Sequence, residues 1–109
     1  MLRIFIQPEA SAEVDAAADY YAQEASLALA ERFIAEFETA CATLAERPGI
    51  GSLRFAYLLE GTELRTWSLT RFPFRLFYVV EGDTLNILGV EHERRNIAPV
   101  PLRSSKKPN

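Results

Sequence analysis

The densest group of side chains that could do chemistry lies near the end of the chain, where the sequence reads Glu91-His92-Glu93-Arg94-Arg95. Arg65 and Arg75 lie in two β-like runs that precede this group. Guanidinium groups bind carboxylates and phosphates through paired hydrogen bonds, and histidine exchanges protons near neutral pH. The sequence therefore predicts a binding surface for an anionic or planar partner, formed by Arg65, Arg75, His92, Arg94 and Arg95.

The same residues also have a structural interpretation, which the sequence leaves open. Glu91 and Glu93 alternate with the basic residues, so their carboxylates could pair with the arginines and hold the last strand against the sheet. The binding interpretation makes a stricter demand on the fold. It requires that Arg65 and Arg75 project from the same, less covered face of the sheet and converge there with His92.

Other catalytic and ligand-binding arrangements have no support in the sequence. His92 is the single histidine and no serine lies in a Gly-x-Ser-x-Gly motif, which excludes the common serine hydrolase pattern. Gly49-Ile50-Gly51 lacks the residues that complete a nucleotide-binding loop. Cys41 is the only cysteine, so we predict a buried thiol rather than a disulfide or a zinc site. We predict no metal and no cofactor.

Composition indicates one small globular domain. The chain has 109 residues, of which 49% are hydrophobic, and this length allows a single buried core. Apolar residues recur from Phe5 to Val100, and only the last stretch, Arg103 to Asn109, lacks them. We therefore expect one domain over residues 1–102 and a mobile tail over residues 103–109.

Charge is distributed unevenly along the chain, whose net charge is −3. Residues 1–50 carry nine acidic and three basic side chains, whereas residues 51–109 carry six acidic and nine basic ones. An acidic total argues against general coating of nucleic acid, although the basic half leaves room for a local anionic partner. Two solvated surfaces of opposite sign are the alternative explanation.

No segment has the length of a membrane span. The apolar run Leu76–Val80 is far too short to cross a bilayer. Met1–Ile6 is apolar, but Pro8 follows too soon for the core of a signal peptide. We therefore expect a protein of the cytoplasm that makes no membrane contact.

Proline, serine and glycine divide the first half of the chain into a strand and two helices. Leu2–Ile6 is a short apolar run that ends before Pro8, which predicts a strand. Helical spacing predicts a helix over about Glu9–Glu24, and Ser26 can cap a second helix that continues to Pro48. Because the link between them is short, the two helices should form an antiparallel hairpin.

Three β-like runs follow a glycine-containing connection over Gly49–Glu63. They cover Leu64–Thr70, Phe74–Val80 and Thr84–Glu91, and the gaps between them have hairpin length. The order β-α-α-β-β-β predicts an α+β fold in which the helical hairpin packs on a small antiparallel sheet.

Both faces of this sheet should carry apolar side chains. In the middle run Phe74, Leu76, Tyr78 and Val80 alternate with Arg75, Phe77 and Val79. One face should be covered by the helices and the other only partly occupied. We expect the connection to pack on the core through its apolar residues, Leu53, Phe55, Tyr57, Leu58 and Leu59.

The order and spacing of many residues resemble a known family. In the first half the resemblance rests on Pro8-Glu9-Ala10, Tyr20-Tyr21, Ala30-Glu31-Arg32-Phe33 and Pro48-Gly49-Ile50-Gly51. In the second half it rests on Arg71-Phe72-Pro73-Phe74-Arg75, Phe77-Tyr78-Val79-Val80-Glu81-Gly82-Asp83, Ile87-Leu88-Gly89-Val90 and His92-Glu93-Arg94-Arg95. Over roughly residues 2–96 the chain is similar to the RelE/ParE toxin superfamily, and most of all to its ParE-like branch.

The resemblance implies the toxin of a type II toxin–antitoxin system, the kind of system associated with plasmid stabilisation. Such a toxin is held inactive in a hetero-oligomer with a cognate antitoxin. ParE-type toxins are associated with DNA gyrase inhibition, and this non-enzymatic activity is the one that we expect.

Two alternatives stay open. RelE-type toxins cut messenger RNA on the ribosome without a metal, and under that alternative the resemblance implies Arg75, His92 and Arg94 as catalytic candidates. Thr66 and Ser68 stand where RelE-type toxins are expected to have lysines. A non-toxic relative that retains only antitoxin binding is the other alternative.

Overall fold

A computed structural model describes residues 1–94 of the chain. Within them it contains two α-helices and four strands, in the order β1 (Arg3–Ile6), α1 (Pro8–Glu24), α2 (Leu27–Glu46), β2 (Arg65–Ser68), β3 (Phe74–Glu81) and β4 (Thr84–His92). The predicted α+β fold class and element order are confirmed. The predicted domain boundary at residue 102, the tail and Arg95 lie outside the described residues.

The helix boundaries follow from local signals. Pro8 occupies the first turn of α1, where its missing N–H removes no helical hydrogen bond. The hydroxyl of Ser26 accepts a hydrogen bond from the backbone N–H of Leu29 at 3.1 Å, so the predicted cap of α2 is confirmed. A cap of this kind stabilises a helix by about 1 kcal/mol. Pro48 begins a single 3₁₀ turn just after α2.

The four strands form one sheet in the order β1-β4-β3-β2. β2, β3 and β4 are antiparallel neighbours, as predicted. β1 departs from the predicted antiparallel arrangement, because it runs parallel to β4 with Arg3 opposite Thr84 and Ile6 opposite Ile87. A tight turn forces two strands to be antiparallel, whereas β1 is followed by the helical hairpin, so no turn fixes its direction.

Each face of the sheet carries its own hydrophobic core. The core beneath the helices includes the fully buried residues Phe33, Leu44, Leu76, Tyr78 and Leu85. The core on the second face consists of Leu64, Phe77, Val79 and Leu88. The predicted alternation of β3 is therefore confirmed for its central residues, since Leu76 and Tyr78 face the helices whereas Phe77 and Val79 face away.

The connection between α2 and β2 covers the second face. Phe55, Leu58 and Leu59 pack against its core, as predicted. Leu53 and Tyr57 are 45% and 69% exposed, so the prediction that they also join the core is wrong. Its regular structure consists of two single 3₁₀ turns and a bridge between Ser52 and Thr66. A segment without a regular period gives no pattern that separates inward from outward side chains.

The helices of residues 1–94 are amphipathic rather than apolar throughout. None of them combines the length and the apolar character needed to cross a membrane. Their buried side chains include many alanines, among them Ala10, Ala17, Ala30 and Ala40. Small residues of this kind let the helices lie close to each other and to the sheet.

Candidate functional site

The sheet separates the predicted site residues onto two faces. Arg65 lies opposite Tyr78 in the register, and Tyr78 belongs to the core beneath the helices. The Cζ atom of Arg75 lies 5.2 Å from the centre of the Phe55 ring, which packs against Phe77 on the second face. Arg65 and Arg75 therefore project from opposite faces, and the predicted convergence of their guanidinium groups is wrong.

Arg65 attaches the connection after α2 to the sheet. Its Nη1 donates hydrogen bonds to the carbonyl oxygens of Gly51 at 2.8 Å and Gly49 at 3.2 Å. Its Nη2 also lies 3.4 Å from a carboxylate oxygen of Glu63, whose side chain is 78% exposed. An ion pair this open to water contributes at most about 1 kcal/mol. The two carbonyl contacts therefore give Arg65 a structural role.

Tyr78 fixes the same segment from the core side. Its hydroxyl donates a hydrogen bond to the carbonyl oxygen of Pro48 at 2.6 Å and accepts one from the backbone N–H of Gly51 at 3.1 Å. Burial raises the pKa of Tyr78 above its ordinary value, although the Gly51 hydrogen bond and the Arg65 charge oppose this shift. A Cβ atom at residue 51 would collide with the Tyr78 ring, so the close approach requires glycine.

Arg75 joins β3 to the end of β4. It is only 8% exposed, and its Nη2 donates a hydrogen bond to the carbonyl oxygen of Glu93 at 3.3 Å. Glu91, which is 2% exposed, lies opposite it in the register. The hydrogen bond to the backbone carbonyl of Glu93 attaches the end of β4 to β3, which gives Arg75 a structural contact. The buried Nε of Arg75 nevertheless has no hydrogen-bond partner within residues 1–94.

His92 lies on the helix side of the sheet, opposite Phe74, and the two ring centres are 5.2 Å apart. Its Nδ1 accepts a hydrogen bond from the backbone N–H of Arg94 at 3.1 Å. An accepting Nδ1 carries no proton, so the neutral ring has its proton on Nε2. The Arg94 residue is exposed. The structure therefore brings His92 and Arg94 together but places Arg75 on the opposite face.

A cavity of about 410 Å³ lies between α1 and the end of β4. It forms there because the pairing of β1 ends at Ile87, so the outer edge of β4 beyond that residue faces α1. The carboxylate of Glu13 accepts a hydrogen bond from the backbone N–H of Val90 at 2.8 Å, and so satisfies a donor of that edge. The lining includes Glu13, Ala16, Tyr20, Tyr21, Phe74 and His92.

Aromatic packing makes one wall of this cavity rigid. The ring of Phe33 lies 5.2 Å from that of Phe74 and 5.5 Å from that of Tyr21. Tilted and edge-to-face contacts of this kind stabilise a pair by about 1 kcal/mol beyond the burial of area. Tyr20, in contrast, is 62% exposed at the rim. The cavity therefore presents an ordered, partly apolar surface suited to an apolar or aromatic side chain of a partner.

Cys41 is a buried free thiol, as predicted. Burial raises its pKa from 9.0 to about 12, and the charge of Glu38 adds to the shift. A thiol reacts as its thiolate, so this side chain is chemically inert at neutral pH. Among residues 1–94 there is no group of three or more histidine, cysteine, aspartate or glutamate side chains that could hold a metal ion.

Comparison with known proteins agrees with this architecture. The family described as ParE toxin of the type II toxin–antitoxin system, parDE, matches residues 4–97. The chain belongs to the ParE toxin family. Among curated proteins no sequence matches it significantly. A solved structure from the chromosomal ParDE toxin–antitoxin system of P. aeruginosa shares the fold with a TM-score of 0.70 at 23% identity, and the match covers 84% of this chain and 96% of that one.

Two surface features of this ParE-family chain were not predicted from its sequence. The cavity beside His92 depends on Glu13, Tyr20 and Tyr21 of α1, whereas the sequence directed attention to the arginines of the second half. The aromatic pair Tyr20-Tyr21 on an otherwise alanine-rich and acidic helix was the available signal. Arg54 was also missed, because it lies in the connection that has no regular period.

Proposed function

We propose that this ParE-family chain is a toxin that a cognate antitoxin neutralises, and that the free toxin inhibits DNA gyrase by binding rather than by catalysis. The observation that carries this proposal is the family match over residues 4–97. The fold shared with a protein of the ParDE system of P. aeruginosa supports it. Toxin and antitoxin would form a hetero-oligomer in the cytoplasm, and a plasmid that encodes such a pair would be stably maintained.

The cavity beside His92 is the surface that we assign to the antitoxin. An amphipathic segment binds by inserting apolar side chains into an apolar groove, and it needs no catalytic group in its partner. The rim of the cavity includes Tyr20, which is 62% exposed. An exposed aromatic residue at the rim of a preformed cavity favours a docking partner over an isolated surface.

The ribonuclease alternative makes a demand that the fold does not favour. Cleavage without a metal needs one group to activate the ribose hydroxyl and another to stabilise the charged phosphorane, both at a single phosphate. Arg75 is buried beneath Phe55 on the second face, whereas His92 lies on the helix side with Phe74. The gyrase-binding function is therefore the one that we retain.

The deciding experiment compares two activities of the purified chain. We expect it to inhibit supercoiling of relaxed plasmid by gyrase, and we expect equimolar antitoxin, the product of the adjacent gene, to restore the activity. In a parallel translation reaction we expect messenger RNA to stay intact. Cleavage of translated messages would select the ribonuclease alternative, and antitoxin binding without either activity would select the non-toxic relative.

A variant with a disrupted core provides the control for nonspecific inhibition. Phe33 is fully buried and contacts the rings of Tyr21, Phe72 and Phe74. Phe33→Ala should destabilise the domain by about 3–5 kcal/mol. If circular dichroism shows the variant to be unfolded and it still inhibits gyrase as strongly as the native chain, the inhibition does not come from the folded toxin and the proposal fails.

A further inference from the structure

A second cavity lies at the outer edge of β2, and its lining shares no residue with the cavity beside His92. Its volume is about 260 Å³, and its lining includes Arg54, Trp67, Ser68 and Arg75. β2 is the outermost strand of the sheet, so this cavity is bounded by a strand edge as well as by side chains. None of these residues contacts the cavity that we assign above to the antitoxin.

Arg75 lines this second cavity, and one of its hydrogen-bond donors has no partner within residues 1–94. The residue is 92% buried, since only 8% of it is exposed. One of its donors is used by the carbonyl oxygen of Glu93, but its Nε has no hydrogen-bond partner within residues 1–94. A buried donor without a partner costs about 1–3 kcal/mol. Because this Nε is closed to solvent, an acceptor supplied by a ligand would recover that energy once the Arg75 side chain turns its Nε toward the cavity.

Arg54 adds a second guanidinium group at the same place. Its Cζ lies 4.6 Å from the centre of the Phe55 ring, and the Cζ of Arg75 lies 5.2 Å from the same centre. Glu91 lies opposite Arg75 in the register, whereas Arg54 is exposed and makes no ion pair within the described part of the chain. Arg54 therefore adds a positive charge to the lining of the cavity.

The backbone of Ser68 supplies a third donor. Thr66 exchanges both of its backbone hydrogen bonds with Ser52, outside the sheet. In an antiparallel strand alternate residues point their backbone groups to the same side, so Ser68 also directs its N–H outward. The backbone N–H of Leu69, the next residue, donates to Phe74 within the sheet, which agrees with this alternation. Ser68 is exposed at the edge.

We propose that Arg54, Ser68 and Arg75 form a binding site for a carboxylate of an acidic peptide segment in a protein partner. Two guanidinium groups and a backbone N–H match the acceptor atoms of one carboxylate. This inference deepens the proposed function, because the antitoxin is the partner expected to carry that segment, and it rests on that function only for the identity of the partner.

The residues around this site favour a peptide over a nucleic acid as its ligand. Binding of a phosphate backbone draws its strength from many cations in a row, whereas this site has two guanidinium groups on a chain of net charge −3. Apolar side chains lie around it, since Trp67 lines the cavity and Leu53, next to Arg54, is 45% exposed. A mixed apolar and cationic surface suits a peptide that carries both side-chain types.

Nuclear magnetic resonance of the folded full-length chain tests the site directly. The probes are hexaglutamate, hexaglutamine and a twelve-residue oligouridylate. We expect hexaglutamate to shift the Nε–H signal of Arg75 and the amide signal of Ser68, and hexaglutamine to shift neither. If no probe shifts them, or if only the oligouridylate does so, the proposal is overturned.

Two exposed arginines provide a matched pair of variants. Arg54→Ala should weaken hexaglutamate binding at least about tenfold, the change expected when a charge-assisted hydrogen bond is lost, and Arg54→Lys should restore part of it. Arg32→Ala, on the exposed side of α2, should leave binding unchanged. If both alanine variants weaken hexaglutamate binding equally, the effect comes from the overall charge of the chain, and the proposed site is overturned.

The hexaglutamate and gyrase experiments give different results depending on whether the proposed site or the proposed function is wrong. If hexaglutamate does not bind but the antitoxin still relieves gyrase inhibition, the carboxylate site is wrong and the function stands. If hexaglutamate binds as described but the chain leaves gyrase unaffected, the site stands and the function is wrong.

Discussion

The hydroxyl of Tyr78 accepts a hydrogen bond from the backbone N–H of Gly51 at 3.1 Å. The two residues lie 27 positions apart, on β3 and on the segment after α2. The same hydroxyl donates to the carbonyl oxygen of Pro48, and Arg65 holds the segment from β2. The side chains of Tyr78 and Arg65 thus determine where the connection between α2 and β2 begins to cross to the second face of the sheet.

Gly51→Ala should destabilise the fold, because the new Cβ would collide with the Tyr78 ring. We expect a loss of about 1–3 kcal/mol in the free energy of unfolding, typical of overpacking, measured by urea denaturation. Gly49→Ala is the matched control, since a Cβ there has nothing within 4 Å. Equal losses in the two variants would show that the Tyr78 contact is not the cause.

Arg65→Met should lower stability without affecting partner binding. Methionine retains part of the apolar stem but removes the hydrogen bonds to the carbonyl oxygens of Gly49 and Gly51. We expect a loss of about 1 kcal/mol, because the side chain is 21% exposed and water partly replaces the lost donors. Calorimetry gives the stability and titration with antitoxin gives the affinity. If the affinity for the antitoxin falls strongly while the stability of the fold is unchanged, Arg65 is a binding residue, as the sequence predicted.

Ala16→Arg should weaken antitoxin binding at least about tenfold, if the antitoxin occupies the cavity beside His92. Ala16 lines that cavity and is exposed, so a long charged side chain can block it without entering the core. Ala12→Arg makes the same change at an exposed position of α1 that does not line the cavity. Titration calorimetry of the two variants compares them, and unchanged binding in Ala16→Arg would exclude this docking surface.

Cys41 should make the fold less stable at high pH. Its folded pKa is about 12, whereas its ordinary value is 9.0, so between these values the unfolded chain has released the proton and the folded chain retains it. Stability from this group is complete below pH 9 and is lost as the pH rises through 12. We expect the native chain to lose stability relative to Cys41→Ala across this window, measured by urea denaturation at each pH. A constant difference would contradict the assigned burial of the thiol.

Local signals in the sequence were sufficient for the helices and for the alternation of β3. Pro8 and Ser26 act within one helical turn, so their effects do not depend on the rest of the chain. Within β3 the alternation of Leu76, Phe77 and Tyr78 follows from strand geometry alone. This part of the fold could therefore be predicted residue by residue.

The arrangement of the arginines could not be predicted in the same way. Arg65 and Arg75 lie on different strands, and whether they share a face depends on the register between those strands, in which a shift by one residue reverses every side chain. Arg54 lies in the connection, whose position is fixed by the contact of Phe55 with Phe77. Both relationships arise from tertiary packing, which the sequence pattern does not encode locally.

The parallel pairing of β1 with β4 also determines when the sheet can assemble during synthesis. β4 is the last of the described strands to leave the ribosome, yet it lies between β1 and β3 and pairs with both. Contacts between residues so distant in sequence form slowly, because a long loop must close first. A nascent chain that ends before Thr84 has β1 without a partner and β3 without its inner neighbour. The complete sheet can therefore form only after the chain has been synthesised beyond Ile87, where the β1–β4 register ends.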